Sequence, residues 1–277
     1  MKIALCNEVL RTLEFPAQCA YAAALGYDGL ELAPFTLDAV DPHLLGAEAR
    51  ARVRRAAADA GIAITGLHYL LAAPAGLSIT SADAVVRART VDVMRRMIAL
   101  CADLGGTVLV HGSPGQRQLA PADGRGACWG RARDCFAAVA TEAEAVGVTY
   151  CIEPLSRPQT NFINTVAEAV ELVEAIGSRA VRTMIDASSA GATEAMPVAD
   201  LIARWLPTGL IGHIHVNDVN RRGPGQGANR FAPLFAALIR NGYAGVVGVE
   251  PFDYVPDGPG SAARAIGYIR GILEALP

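Results

Sequence analysis

Lysine is nearly absent: Lys2 is the only one in 277 residues, and it opens the first strand-like segment. A Schiff-base enzyme needs a lysine amine at its reacting centre. Chemistry of that kind, with pyridoxal phosphate or directly on a carbonyl substrate, is therefore not expected. Cys6, Cys19, Cys101, Cys128, Cys135 and Cys151 include no CxxC pair. Most of them sit in apolar segments and read as small buried hydrophobes rather than disulfide partners. No uninterrupted apolar run reaches bilayer length, which argues against a membrane partner. The net charge of −3 comes without a dense basic run, which argues against a nucleic-acid partner. The first residues run straight into a strand, without the charged region, apolar stretch and cleavage site of a signal peptide. A cytoplasmic protein is expected.

Glycine is missing where a dinucleotide-binding sheet would place it. The segment after the first strand reads Cys6-Asn7-Glu8-Val9-Leu10, with no phosphate-cradling glycine, which disfavours a doubly wound open sheet. What the chain does have is a repeated alternation of short apolar runs with alanine-rich helical stretches. Strand candidates fall at 2–6, 29–32, 63–69, 107–111, 148–153, 182–186, 212–216 and 246–250. The clearest helical stretches fall at 47–60, 82–104, 129–145, 166–176, 198–205, 231–241 and 262–276. Several strands are continuously apolar, as parallel strands covered on both faces should be. The pattern and the length predict an α/β fold, one (β/α)8 TIM barrel spanning residues 1–277.

Polar residues recur at the C-terminal ends of these strands. His68 falls at the third, His111 at the fourth, Glu153 at the fifth, Asp186 at the sixth, His213 and His215 at the seventh and Glu250 at the eighth. In a barrel those ends converge on one mouth. Taken singly, each has a plainer reading. A strand-end glutamate is usually solvated, and Asp186-Ala187-Ser188-Ser189 could simply cap a helix. Three carboxylates gathered at one mouth, however, repel one another unless a cation neutralises them. Glu153, Asp186, His215 and Glu250 are therefore candidate ligands for one divalent metal. The oxygen-rich donor set suits Mn²⁺, Mg²⁺ or Co²⁺ and admits Zn²⁺. His213 shares a strand face with His215 one layer deeper, as a hydrogen-bonding support.

Cys151-Ile152-Glu153-Pro154, Met184-Ile185-Asp186, His213-Ile214-His215-Val216-Asn217-Asp218 and Val249-Glu250-Pro251-Phe252 resemble the xylose-isomerase-like TIM-barrel superfamily. The likeness is to its sugar isomerase/epimerase branch, of the D-tagatose and D-psicose 3-epimerase type, and covers essentially the whole chain. The resemblance implies one bound divalent cation, usually Mn²⁺, on the four candidate ligands, with Glu153 and Glu250 as the catalytic acid/base pair. It implies a small sugar or polyol substrate contacted by Arg221 and Phe252. In two places the chain departs from the ketose 3-epimerases. Gln159 or a nearby polar residue stands where they carry a second glutamate, and Ser189 stands where they carry a histidine.

His68 and His111 are further candidates. They could line the sugar pocket or, with Glu153, hold a second metal as in endonuclease IV of the same superfamily. An inosose-dehydratase-type lyase, expelling a β-hydroxyl from the same enolate, is the nearest competing activity. A non-catalytic sugar-binding barrel is another, although it would not need a pair of bases. Arg221 and Arg222 could grip a phosphate if the substrate carries one. Residues 252–260 are expected to form a loop over the mouth, with Tyr254 covering the substrate or meeting a second copy in a homo-oligomer. Residues 71–77 are a candidate second lid.

Overall fold

A computed structural model describes residues 1–120 and 123–276. The strands are β1 (Lys2–Cys6), β2 (Gly29–Leu32), β3 (Ala63–Leu67), β4 (Val108–His111), β5 (Thr149–Ile152), β6 (Val181–Asp186), β7 (Ile211–Val216) and β8 (Val246–Val249). They pair in parallel in chain order, and β1 closes on β8 through the register Lys2↔Val246 to Leu5↔Val249. This is the closed eight-stranded barrel that the alternation predicts. Around it lie helices α1 (Phe15–Ala24), α2 (Ala47–Asp59), α3 (Ala84–Leu104), α4 (Arg125–Val146), α5 (Val166–Ile176), α6 (Ala187–Thr193), α7 (Val198–Trp205), α8 (Phe231–Arg240) and α9 (Gly258–Ala275). None of the described helices is long and apolar enough to cross a membrane.

Two helices lie outside the stretches expected from sequence. The α1 sequence, Phe-Pro-Ala-Gln-Cys-Ala-Tyr-Ala-Ala-Ala, is apolar nearly all round and shows little period, so nothing in it marks a face. The α6 helix is short and starts directly on the sixth strand's last residue. The expected mouth loop is also shorter than 252–260. Gly258-Pro259-Gly260 is the first turn of α9, because the Asp257 side chain accepts the Gly260 N–H and caps it. Residues 71–77 are not a free lid either. Leu71 and Leu77 are buried, and the Leu71 N–H donates to Ser113 Oγ at 3.1 Å.

The core between strands and helices is formed by aliphatic residues and by Phe136, Phe231 and Phe235. Inside the barrel Val108, Val110, Cys151 and Met184 make a small apolar cluster under β4 to β6. On the opposite side of the interior Glu31, His213 and His215 are buried. Register sets the layers: Cys6 pairs with Glu31, Asp186 with His215, and His215 with Gly248. Glycine at 248 is required by this packing. A Cβ there would lie 2.7 Å from His215 Cδ2 and 3.1 Å from Glu31 Oε2.

Candidate metal centre and active site

Glu153, Asp186, His215 and Glu250 each turn a ligand atom into the barrel mouth, and these atoms lie within 4.8 Å of one another. All four residues are buried. His215 Nδ1 lies between the two glutamates, 3.1 Å from Glu250 Oε2 and 3.8 Å from Glu153 Oε1. Asp186 carries both of the roles its sequence allows. Its Oδ1 accepts the Ser189 N–H at 2.6 Å and caps α6, while its buried Oδ2 has no protein partner. Glu153 has its place because residue 112 is glycine: a Cβ there would overlap the Glu153 carboxylate.

The electrostatics favour binding of a cation. Burial, then repulsion from Glu250, raises Glu153 well above the usual carboxylate range. The same two causes lift Asp186 to about 6. Burial disfavours a charged His215, but Glu250 and Glu31 outweigh it and hold the imidazole well above its usual value. A cluster in which two acids and a histidine all cling to protons is one that a cation would discharge. Together with the orphaned Asp186 oxygen, this donor set fits a divalent ion.

Glu31, on β2, is the largest functional feature that sequence reasoning missed. Its Oε1 lies 3.0 Å from His215 Nε2 and its Oε2 lies 2.8 Å from His213 Nε2. Burial opposes its charge, yet the two histidines hold it well below the usual carboxylate range. It presents His215 with Nδ1 towards the carboxylates. The signal was available: a charged residue inside the fully buried run Gly29–Leu32 has to be paired.

His68 is fully buried behind the mouth rather than on the cavity wall. Its Nε2 bonds Glu8 Oε2 at 2.9 Å, and Glu8, unremarked in the sequence, lifts it to about 9 against the opposing effect of burial. His111 is not brought to the site. The inward positions of β4 are Val108 and Val110, so His111 faces the helical layer, edge-on to Phe136 at 5.0 Å and 3.4 Å from the Tyr150 hydroxyl. A second metal on His68, His111 and Glu153 is thereby ruled out by strand alternation. Arg117 was also missed. It is buried, and its guanidinium donates to the main-chain carbonyls of Glu153, at 2.5 Å, and of His111. It thus ties the ends of β4 and β5 together.

Above the four candidate ligands lies a cavity of about 260 Å³, whose wall includes Tyr69, Gln159, Ser189, Arg221 and Phe252. Arg221 stands 5.0 Å over the Phe252 ring. Its backbone is left-handed at φ 68°, with its carbonyl accepting the N–H groups of Phe252 and Asp253 at 2.8 and 2.9 Å. Arg222 turns away to Asp253 at 2.8 Å, so the two arginines do not form a joint phosphate grip. Gln159 and Ser189, the two departures, are neighbours: Ser189 Oγ donates to Gln159 Oε1 at 3.3 Å.

The chain is thus an eight-stranded barrel with an acidic, histidine-bearing mouth. The profile described as xylose isomerase-like TIM barrel matches residues 19–272, and the chain belongs to that family. It is similar to the L-ribulose 3-epimerase of Mesorhizobium japonicum, 32% identical over 199 residues, which are 70% of this chain and 64% of that protein. It is similar to the D-psicose 3-epimerase of Agrobacterium fabrum, 30% identical over 241 residues, which are 83% of this chain and 76% of that one. A solved structure of L-ribulose 3-epimerase superposes with a TM-score of 0.83 at 26% identity, covering 99% of this chain and 95% of that chain.

Proposed function

We propose that this chain is a divalent-metal-dependent sugar epimerase or isomerase in which Glu153 and Glu250 move the proton. One observation carries the reading. Two buried glutamates from strands three apart in the barrel flank a single cavity, with His215 Nδ1 and the unpartnered Asp186 oxygen between and beside them. Epimerase relatives of substantial coverage support it.

Glu153, Asp186, His215 and Glu250 would hold the cation, with Mn²⁺ the first candidate and Mg²⁺, Co²⁺ or Zn²⁺ also suited to the set. When bound, it would polarise the substrate carbonyl and stabilise the enediolate left by deprotonation. The chain's own residues do the rest. One glutamate takes the proton beside the carbonyl, and the other, already protonated, gives its own to the opposite face, inverting that carbon. Return to the neighbouring carbon would interconvert aldose and ketose. Arg221, held in place by its carbonyl and by Phe252, orients substrate oxygens, and Phe252 covers an apolar sugar face. Burial of the pair keeps bulk water from competing for the proton.

The test is solvent-deuterium incorporation into a panel of ketoses by metal-loaded enzyme. Glu153→Gln and Glu250→Gln should each fold and each lose incorporation by about 100-fold or more. A variant that exchanges deuterium at the wild-type rate contradicts the assignment.

A further inference from the structure

The two oxygens of Glu250 face different ways. Oε2 lies 3.1 Å from His215 Nδ1, within the four-ligand cluster. Oε1 lies 3.8 Å from His68 Nε2. Glu250 also belongs to another donor set, Cys6, Glu8, His68 and Glu250, whose ligand atoms again fall within 4.8 Å of one another. All four residues are buried, Cys6 and His68 completely. Glu250 is the one residue common to this set and the four-ligand cluster.

Local structure brings the set together. Cys6 ends β1, in register with Glu31. The chain then enters a single 3-10 turn, Asn7–Leu10, buried throughout, which places Glu8 beside His68. The Glu8–His68 contact of 2.9 Å uses Glu8 Oε2 and His68 Nε2. Glu8 Oε1 is left buried without a protein partner, on a residue only 7% exposed. An ion pair alone accounts neither for that oxygen nor for a thiol set among carboxylates. Burial first, then Glu31, Glu8, Glu250 and Glu153, raises the Cys6 thiol well above its ordinary value. Without a cation the sulfur stays protonated and inert.

The distances suit a tetrahedral ion. Bonds of about 2.0–2.3 Å set the ligand atoms about 3.3–3.8 Å apart. His68 Nε2 and Glu250 Oε1, at 3.8 Å, already stand at that separation. The Glu8–His68 contact has to widen by about half an ångström. One sulfur, one imidazole and two carboxylates are a softer set than Glu153, Asp186, His215 and Glu250, which include no sulfur. The softer set favours Zn²⁺ or Co²⁺ over Mn²⁺ and Mg²⁺.

We propose that Cys6, Glu8, His68 and Glu250 form a second cation site, for a thiophilic divalent ion of the Zn²⁺ class, and that filling it switches the enzyme off by taking Glu250 Oε1 out of proton transfer. The inhibition rests on the proton-transfer reading of Glu250; the binding does not. On entry the ion displaces the Cys6 thiol proton, and any proton on His68, to solvent. With Oε2 turned to the first set and Oε1 on the second ion, Glu250 has no oxygen left to exchange a proton with substrate. Glu250 stands on the cavity wall, which gives the ion a route from the mouth.

The test is to titrate Mn²⁺-loaded enzyme, kept in excess Mn²⁺, with Co²⁺. One Mn²⁺ and one Co²⁺ per chain are expected by elemental analysis. A thiolate-to-cobalt charge-transfer band should appear in the near ultraviolet, which the sulfur-free first set cannot give. Deuterium exchange into a responsive ketose should fall by about 100-fold as the band saturates. Cys6→Ala should keep its Mn²⁺, show no band and lose most of the cobalt inhibition, read as the ratio of exchange with and without Co²⁺. Glu8→Gln should bind Co²⁺ at least about tenfold more weakly, with the same band at saturation, and serves if the alanine variant fails to fold. Cobalt bound without the band, one-for-one displacement of Mn²⁺, or unchanged exchange at saturation each overturns the proposal and leaves the proton-transfer reading standing. Mn²⁺-loaded enzyme that exchanges with no ketose removes that reading, and the band and the stoichiometry still decide whether the second site exists.

Discussion

Glu31 Oε1 stands 3.0 Å from His215 Nε2, so a buried carboxylate on the second strand sets the orientation of a candidate metal ligand on the seventh. The same carboxylate holds His213 at 2.8 Å, and neither histidine ring can turn without breaking a buried charged contact. Loss of such outer partners typically costs 10- to 100-fold in metal affinity. Glu31→Gln should weaken Mn²⁺ binding by about that factor, measured by titration against a competing chelator. Glu31→Leu should weaken it further. Wild-type affinity in both variants would show that His215 is oriented by something else.

Metal affinity should rise with pH. Without metal, Glu153 and His215 lie well above their ordinary values and Asp186 lies at about 6. For all three, the folded chain holds its proton more tightly than the unfolded chain does. Their contribution to stability is therefore full at low pH and is lost as pH rises through the folded values. A cation must displace the same protons. The apparent Kd should fall by about tenfold per pH unit for each proton released, most steeply below about pH 6, where Asp186 also carries its proton, and less steeply above it. Chelator competition at several pH values checks this, and a pH-independent Kd contradicts it. Metal should also raise the melting temperature more at high pH than at low pH.

Gly248→Ala should damage the centre without touching a ligand. The new methyl would sit 2.7 Å from His215 Cδ2 and 3.0 Å from its Nε2. Overpacking of this kind costs about 1–3 kcal/mol, and here the ring that must give way is bonded on both sides. A lower melting temperature together with at least tenfold weaker metal binding is expected. A fall in melting temperature with unchanged metal affinity would mean that the ring moves without consequence.

Arg117→Met removes a buried guanidinium that donates to the Glu153 and His111 carbonyls. Charged hydrogen bonds are worth about 1.5–3 kcal/mol each, so a loss of about 3 kcal/mol is expected in urea unfolding. Arg117→Lys can reach only one of the two carbonyls well, and should lie between. Equal stability of the three proteins would show that the clamp does not hold β4 and β5.

The barrel is legible in the sequence because parallel strands covered on both faces must be short and apolar, and such runs recur at regular distances. The four candidate ligands are legible because each is a polar residue ending such a run. The orientation of His111 is not, since one residue along a strand exchanges the barrel interior for the helical layer and Val110 takes the inward place. Arg117 is invisible for a different reason. A lone arginine between glycine- and proline-rich segments looks solvated, and only the closing of the chain around the ends of β4 and β5 buries it. Asp186 shows that a cap and a ligand need not be alternatives, because a carboxylate has two oxygens and the cap uses one.

The loops after β7 and β8 are laced to one another. The Arg221 carbonyl takes two amides from the second loop, Arg222 takes its aspartate, and the Arg221 guanidinium rests on its phenylalanine. Neither loop can swing alone, so this side of the mouth behaves as one stiff plate. Traffic through the doorway must use the opposite jamb, where Tyr69 leans on Phe35, or lift the whole plate at once.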